Sequence, residues 1–409
     1  MAGASIDHLV SVIIFIGAIM LFIGLFNQTI QVGVTYQFHR AVASKGSDLL
    51  DNMLLSPGIP PNWGQTSDTP EGFGLQAVEF TQYKLSPFSL MRLRSSTGNP
   101  VYYSMTGQTY SNVTMGFGQS LLVPYNEALD YSTASRLLGV NGSYGFSLTL
   151  TPIVNVTIIQ IQANPLSVSI SASGPGFPLA NAEVDYSLIK VAEGGGYPKY
   201  EINYGSALTD TAGSTSLSFP GFDASSTSYA LIASAHVSGL VGIGYHENAL
   251  YKENYVIPFI SSTANKTAIL AHSWDVVNGS DSDAAIHYNA TFVALTDDFR
   301  LREMPFTNET GSTVGVLNSG RDPEHAYDTL TMGTNNPGIL IVTYRKSAQK
   351  TGIVVMPWGL SSLAFPITFG GDPKNASWVA TDIRQVMVNG IAYQAKLAVW
   401  SLSGYQVNG

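Results

Sequence analysis

The densest cluster of side chains that could carry chemistry occupies residues 321–328, with the sequence Arg-Asp-Pro-Glu-His-Ala-Tyr-Asp. Carboxylates beside an imidazole are the groups that general acid–base catalysis uses. His272 or His287 would complete such a site if the fold brought either of them into one cleft with the cluster. Charges of alternating sign are also typical of a solvated loop between two strands. We favour the loop, so no catalytic residue is predicted.

A second oxygen-rich segment, residues 278–283, contains Asp281 and Asp283. Calcium prefers carboxylate and carbonyl oxygens, but the EF-hand spacing with its distal glutamate is missing here. The two aspartates are therefore the only candidate metal ligands, for calcium. The chain has 0 cysteines, which excludes disulfides, thiol catalysis and Cys-ligated metals. No cofactor is predicted.

Asparagines in Asn-Xaa-Ser/Thr sequons are candidate glycosylation sites, and about four would be expected from composition alone. Asn27 also heads a sequon, but it lies at the membrane, within the charge-free run described below, where a glycan has no room. The predicted glycosylation sites are Asn112, Asn141, Asn155, Asn265, Asn278, Asn289, Asn308 and Asn375. Their number favours an extracellular location.

The longest uninterrupted feature is the run from Leu9 to Phe38, which contains no charged side chain. As a helix it would extend about 45 Å, more than the ~30 Å hydrocarbon core of a bilayer. A removed secretory signal is the alternative, but no basic segment precedes the run and no small-residue cleavage site ends it. We therefore predict a retained membrane span with lipid as its partner. The anchoring side chains are Leu9, Ile13, Ile16, Met20, Ile23 and Phe26.

Two rules disagree about the orientation of this span. Arg40 and Lys45 follow it and favour a cytoplasmic C-terminal side. Long domains, however, cross membranes largely regardless of flanking charge, and the sequons favour the outside. We expect a single-pass protein of the cell membrane with residues 58–409 outside the cell.

The helical pattern continues beyond the run, because apolar residues keep a spacing of three or four until Ser56-Pro57-Gly58. This predicts one helix from about residue 6 to residue 55, roughly 70 Å long. About half of it must project beyond the bilayer. Its projecting apolar side chains need to be buried, and two kinds of contact could bury them. They could pack on the chain's own first β domain, or on equivalent helices of other copies in a filament or bundle. The projecting side chains are Ile30, Val34 and Phe38.

The remainder of the chain has the composition and pattern of β domains. Charged residues make up 11% of the chain, against about 25% in typical soluble domains, and the net charge of −9 excludes a basic face for nucleic acid. Short alternating apolar runs recur between turn signals. The clearest hairpin has Asn389-Gly390 at its turn, a dipeptide that tolerates two positive φ angles.

The middle of the chain resembles an immunoglobulin-like module of bacterial and archaeal surface proteins. The segments GFPLANAEVDY at 176–186, LTDTAGSTSLSF at 208–219 and SYALIASAHV at 228–237 follow the strand–turn–strand pattern of such modules. Asp210 and Gly213 fit its turn, as a capping side chain and as a residue that accepts positive φ. The resemblance implies a β-sandwich over residues 165–258.

The N-terminal region is similar to archaeal type IV pilin-like envelope proteins over about residues 5–80. The similarity rests on an early apolar helix that runs into LLSPGIPPNW at 54–63 and GFGL at 72–75, and more weakly on IRQVMVNGIAY at 383–393. It implies a surface protein that self-assembles through its N-terminal helix.

Together these patterns predict a mainly β protein with a long N-terminal transmembrane helix (1–57) and two or three β-sandwich-like domains. These are a pilin-like first β domain (58–160), an immunoglobulin-like module (165–258) and a C-terminal β domain (262–409). The last either follows the module in series or packs on the first. The predicted function is a membrane-anchored, non-enzymatic archaeal cell-surface structural or adhesion glycoprotein. The alternative is a membrane-tethered extracellular enzyme or solute-binding protein that acts on envelope glycans or peptides.

Overall fold

The structure is a computed structural model. It describes residues 2–93, 99–114, 120–192, 196–250, 255–273, 276, 285–296, 299–307, 313–318, 327–347, 350–359, 365–374 and 376–402.

The first element, α1 (Ala2–Leu55), is a single helix of 54 residues, which confirms the long N-terminal helix and its predicted end. Pro57 lacks the N–H that another helical turn would need, and Gly58 takes a φ of 85° that turns the chain away. Two short helices follow, α2 (Pro87–Met91) and α3 (Tyr131–Leu137). A side-chain oxygen caps each, from Ser86 and Asp130 respectively.

The described strands, in chain order, are β1 (Val101–Tyr103), β2 (Gln108–Thr114), β3 (Ser120–Pro124), β4 (Tyr144–Pro152), β5 (Asn155–Gln162), β6 (Leu166–Gly174), β7 (Phe177–Pro178), β8 (Glu183–Val191), β9 (Tyr200–Leu208), β10 (Ser214–Phe219), β11 (Tyr229–Val237), β12 (Leu240–Asn248), β13 (Val256–Ser262), β14 (Thr267–His272), β15 (Ile286–Leu295), β16 (Leu301–Met304), β17 (Thr313–Leu317), β18 (Tyr327–Thr331), β19 (Gly338–Ser347), β20 (Lys350–Trp358), β21 (Ile367–Gly370), β22 (Ala380–Val388) and β23 (Ile391–Ser401). The chain is thus mainly β, as predicted.

Strands β5 to β12 form a two-sheet sandwich. One sheet has the order β10-β6-β5, with β7 on β6, and the other has the order β12-β11-β8-β9. This is the strand order of immunoglobulin-type sandwiches. At the turn before β10, the Asp210 carboxylate accepts hydrogen bonds from the backbone N–H of Ala212 and Ser214, and Gly213 has a φ of 73°. The predicted turn residues therefore do act as a cap and a positive-φ position.

The sandwich has different limits from the predicted 165–258. It begins with β5, which pairs with β6 and buries Val156 and Ile158 in the sandwich core. At the other end, residues 256–258 start β13, which pairs with β14 in another sheet. The alternation in β5 was visible in the sequence, but Pro165 suggested a boundary that the strand pairing crosses.

Outside the sandwich, one sheet combines a strand that precedes the sandwich in the chain with strands that follow it. Strand β4, which precedes it, pairs with β21 and β23 in the sheet β21-β4-β23-β22. A second sheet has the order β16-β15-β19-β20, with β17 on β15, and two three-stranded sheets have the orders β13-β14-β18 and β1-β2-β3. The hairpin β22–β23 turns at Asn389 and Gly390, with φ angles of 51° and 80°. This is the turn that the dipeptide predicts.

One continuous hydrophobic core joins these sheets to the C-terminal third of α1 and to one face of the sandwich. Strand β9 and the loop before it contact the C-terminal sheets through side chains. The Thr343 hydroxyl donates to the carbonyl of Pro198 at 2.8 Å, and the Tyr200 hydroxyl donates to the Glu303 carboxylate at 2.5 Å. We call the described residues from 58 to 402 the head.

Candidate membrane anchor and its junction with the head

The anchor comprises residues 9–26 of α1. Its most apolar 18-residue window is not buried at all within the chain, and the six predicted anchoring side chains are between 48% and 70% exposed. Apolar side chains exposed all round a helix need a non-aqueous surrounding. About twenty helical residues cross the ~30 Å hydrocarbon core. Helix α1 is therefore long enough and apolar enough to cross a membrane once.

The neck comprises residues 27–38, between the anchor and the head. Ile30 and Val34 are 48% and 44% exposed, so the head does not cover them. Phe38, in contrast, packs against the main core. Of the two predicted covers, the chain's own β structure therefore contacts the helix, among the residues that the structure describes, from Phe38 onwards.

Above the neck, α1 lies on strands β22 and β23. Val42, Leu49, Leu50 and Met53 are buried there, at the three- and four-residue spacing of one helix face. Gly46 faces Val399, and a Cβ on this glycine would lie 3.6 Å from the valine side chain. The small residue thus lets the helix backbone approach the sheet closely.

The helix and β22 run in the same direction. The His39 ring stacks on Trp378 with centroids 4.3 Å apart, whereas Asp51, farther along α1, contacts Arg384, farther along the strand. Ala380 of β22 pairs with Val399 of β23, so the start of β22 and the end of β23 form the edge of the head that faces the neck.

Arg384 joins the helix to the sheet through three side chains. Its Nε–H donates to the Asp51 carboxylate at 3.1 Å, Nη1 to the Asp382 carboxylate at 2.6 Å and Nη2 to the Ser47 hydroxyl at 3.1 Å. The bond to Asp382 raises the pKa of the guanidinium above its ordinary value. Partial burial raises the pKa of the Asp382 carboxyl, but hydrogen bonds from Arg384 and Ser47 outweigh it and leave this pKa below its ordinary value.

Arg92, directly after α2, joins three other segments inside the head. Its guanidinium donates to the carbonyls of Glu127 at 2.6 Å and Asp68 at 2.9 Å and to that of Trp63, whose ring it also faces at 5.2 Å. The Glu127 carboxylate accepts from both the backbone and the hydroxyl of Thr263, each at 3.0 Å. Burial lowers the pKa of Arg92 to about 10, against the opposing charges of Glu127 and Asp68. The guanidinium is still charged at neutral pH.

The predicted glycosylation sites divide into four groups. Asn141, Asn155 and Asn265 are exposed, and Asn112 is half-buried on β2. Asn289 is a correction: it is 4% exposed in the central part of β15, so the folded chain has no room for a glycan there. Asn278, Asn308 and Asn375 lie outside the described residues.

The candidate calcium ligands Asp281 and Asp283 also lie outside the described residues, as do residues 321–326 of the charged cluster. At the end of the cluster, Asp328 accepts a hydrogen bond from the Tyr288 hydroxyl at 2.8 Å. His272 is buried at the end of β14, and His287 on β15 lies 5.7 Å from the Tyr197 ring. Within the described residues, no three His, Asp or Glu side chains group as metal ligands.

Comparisons with known proteins add little. No protein-family model matches the chain, and no curated protein matches it. Among solved structures, a transglutaminase from red sea bream aligns with 61% of this chain at 8% identity and a TM-score of 0.18. The chain spans 37% of the length of that transglutaminase.

Sequence reasoning did not single out Arg92 or Arg384. A lone arginine beside a short helix or in a strand forms no motif, and its partners come from distant segments. The one signal in the sequence for these two arginines was the low charge content of 11%, because an arginine near apolar residues is unusual in such a chain.

Proposed function

We propose that this chain is a membrane-anchored, non-enzymatic cell-surface protein of structural or adhesive type, pilin-like at its N-terminus. It displays its β domains on the outer side of the membrane, as the archaeal envelope proteins it resembles would. The observation that supports this most is the contrast along α1. One end is apolar and uncovered, and the other is fixed to a large β head by burial and by Arg384.

A pair of double variants tests the anchor. Replacing Ile13 and Ile16 by Asp places two charges in the bilayer, at about 3 kcal/mol each, and should shift the full chain from the membrane fraction to the soluble fraction. The matched control replaces Ala41 and Ser44, both exposed on α1 beside the head and also three residues apart, by Asp and should stay with the membrane. Equal partitioning of the two double variants would exclude the proposed anchor.

Protease treatment of intact cells tests the orientation. The head should be released as a folded β fragment while the anchor stays with the cells. If the head resists protease until the cells are lysed, residues 58–409 face the cytoplasm and the surface role is wrong.

Self-assembly through the helix is part of the proposal. Ile30 and Val34 lie uncovered on the neck, where equivalent helices of other copies would pack. Substituting both by Asp should abolish high-mass assemblies without changing the circular dichroism of the head. Assemblies that persist at wild-type size would show that the neck is not the contact between copies.

A further inference from the structure

The sheet β10-β6-β5 of the sandwich has an outer face made largely of serine. Leu166, Val168 and Ile170 of β6 point into the sandwich core, so the alternate residues of the strand point outwards. We call the outward positions of these three strands the serine face. They are Asn155, Thr157, Ile159 and Ile161 of β5, Ser167, Ser169, Ser171 and Ser173 of β6, and Ser214, Ser216 and Ser218 of β10. None of these positions holds a charged residue.

The serines of β6 and β10 lie in register with each other. Ser169 is directly opposite Ser216, and the Ser171 and Ser214 hydroxyl oxygens are 3.0 Å apart. Strands favour β-branched residues, and threonine would keep the hydroxyl group. Serine at all these positions gives up that preference and leaves a flat floor of small side chains. Such a floor admits the close approach of a partner surface.

Two large apolar side chains stand beside this floor. Ile159 and Ile161 of β5 are 58% and 63% exposed. Ile159 pairs with Ser169, and Ser169 pairs with Ser216, so these three residues form one row across the three strands. The serine face thus has an apolar ridge on β5 and a floor of small side chains on β6 and β10.

We propose that the serine face binds the serine face of a second copy of this chain, around a two-fold axis parallel to β6. Such an axis places β5 of each copy over β10 of the other, so each Ile159 ridge lies on the other copy's Ser216 floor. The contact is isologous, because the same surface supplies both the ridge and the floor. Copies with a net charge of −9 repel each other where their carboxylates meet, and the serine face offers a contact without carboxylates.

The size of the serine face makes this contact weak. Three strands ~4.8 Å apart and about seven residues long, at ~3.3 Å each, cover roughly 330 Å² per copy. Stable interfaces bury about 800 Å² per partner. The contact therefore forms where copies are concentrated, as on membranes that carry the anchored chain. In this respect the inference rests on the anchor proposed above.

Cross-linking of the full chain in lipid vesicles tests the contact, since the chain has no cysteine of its own. Ser169 lies next to the proposed axis. Ser169→Cys should therefore give dimers with a short bis-maleimide at least about tenfold faster than Thr368→Cys at the same protein density. Thr368 is the matched control because it lies on β21, outside the serine face, and is more exposed than Ser169. Accessibility alone would favour the control.

Charged substitutions test the two-fold arrangement. In the Ser169→Cys chain, Ile159→Asp should lower cross-linking to the rate of Thr368→Cys. Leu208→Asp should leave the rate unchanged, because Leu208 is 65% exposed on β9 in the other sheet of the sandwich. Adding Ser216→Lys to Ile159→Asp should restore the dimers, because the axis places residue 216 of one copy against residue 159 of the other. Circular dichroism checks that each variant is folded.

Flotation of the same samples with the vesicles measures the anchor separately. If the chain floats while Ser169→Cys and Thr368→Cys cross-link at equal rates, the contact is wrong and the anchor stands. Cross-linking that ignores Ile159→Asp, or that Ser216→Lys does not restore, also overturns the proposal. A chain that does not float overturns the anchor and, with it, the local concentration that the contact requires.

Discussion

Arg92 connects three stretches of the head through one side chain, because a guanidinium can donate in several directions within one plane. Its bonds end on carbonyl oxygens of Trp63, Asp68 and Glu127, which lie 29, 24 and 35 residues from Arg92 along the chain. The Glu127 carboxylate extends the connection to Thr263. The buried Arg92 guanidinium therefore links these segments of the N-terminal part of the head.

We expect Arg92→Met to lower the free energy of unfolding of the head by about 3–5 kcal/mol, since it leaves the Glu127 carboxylate buried without its cation and three carbonyls without their donor. Urea denaturation of the full chain in detergent measures this. Arg136→Met, at an exposed arginine on α3, is the matched control and should change stability by less than about 0.5 kcal/mol. A similar loss in both variants would contradict the role given to Arg92.

Arg384 should make the junction between α1 and the sheet dependent on pH. Because the Asp382 pKa is depressed in the folded chain, its contribution to stability is full above the unfolded value of about 3.9 and is lost as pH falls through the folded pKa. Arg384→Met should cost about 1 kcal/mol near pH 7 and progressively less below about pH 4.

Denaturation of both proteins between pH 3 and pH 7 measures this difference. Lys374→Met is the matched control, because the Lys374–Asp372 pair is exposed and joins no two elements. A constant difference between wild type and Arg384→Met at all pH values would show that the carboxylates do not contribute.

At the scale of elements, α1 changes its role along its length without any break in helical structure. Its outer part is fixed to the head by burial of one face, whereas the inner part has apolar residues on every face. The close approach of the two backbones at Gly46 and Val399 sets how the helix lies on the sheet.

We expect Gly46→Ala to stabilise the full chain by about 0.5–1 kcal/mol, since a methyl group at 3.6 Å from Val399 is an ordinary contact and alanine favours the helix. Gly46→Leu should destabilise by about 1–3 kcal/mol because the larger side chain overpacks the contact. Thermal unfolding of the two variants in detergent distinguishes them. Destabilisation by alanine as well would mean that the helix and the sheet lie too close together to admit a methyl group.

At the scale of the whole molecule, the sandwich is inserted between strands that share sheets with each other. Strand β5 is the first strand of the sandwich along the chain. Gly242 and Gly244 of β12 let this part of the chain come close, since a Cβ on either would lie within 2.7 Å of the carbonyl of Val154 or Val156. The sandwich therefore needs residues that precede Pro165.

Two overlapping segments test this requirement. Residues 153–250, expressed alone, should give a β-type circular dichroism spectrum and a cooperative unfolding transition. Residues 165–258 lack Val154, Val156 and Ile158, whose burial at about 1.5–3 kcal/mol each is comparable to the whole stability of a small domain. This segment should be unfolded, and equal stability of the two would refute the boundary at β5.

The sequence by itself determined the features that depend on neighbouring residues. Pro57 and Gly58 set the end of α1, Asn389-Gly390 set a two-residue hairpin turn, and Asp210 and Gly213 set another turn, because backbone conformation at these positions follows from local sterics and hydrogen bonds. The absence of charge from residues 9–38 likewise specified a helix apolar enough to cross a membrane.

Only the tertiary structure decided what depends on contacts between distant segments. The sequon at Asn289 predicted a glycan site, yet β15 is covered on both sides and buries this residue. Pro165 resembled a domain boundary, yet β5 on its other side pairs across it. The partners of Arg92 and Arg384, up to 337 residues away for the latter, come together through sheet pairing, whose long-range register local sequence does not specify.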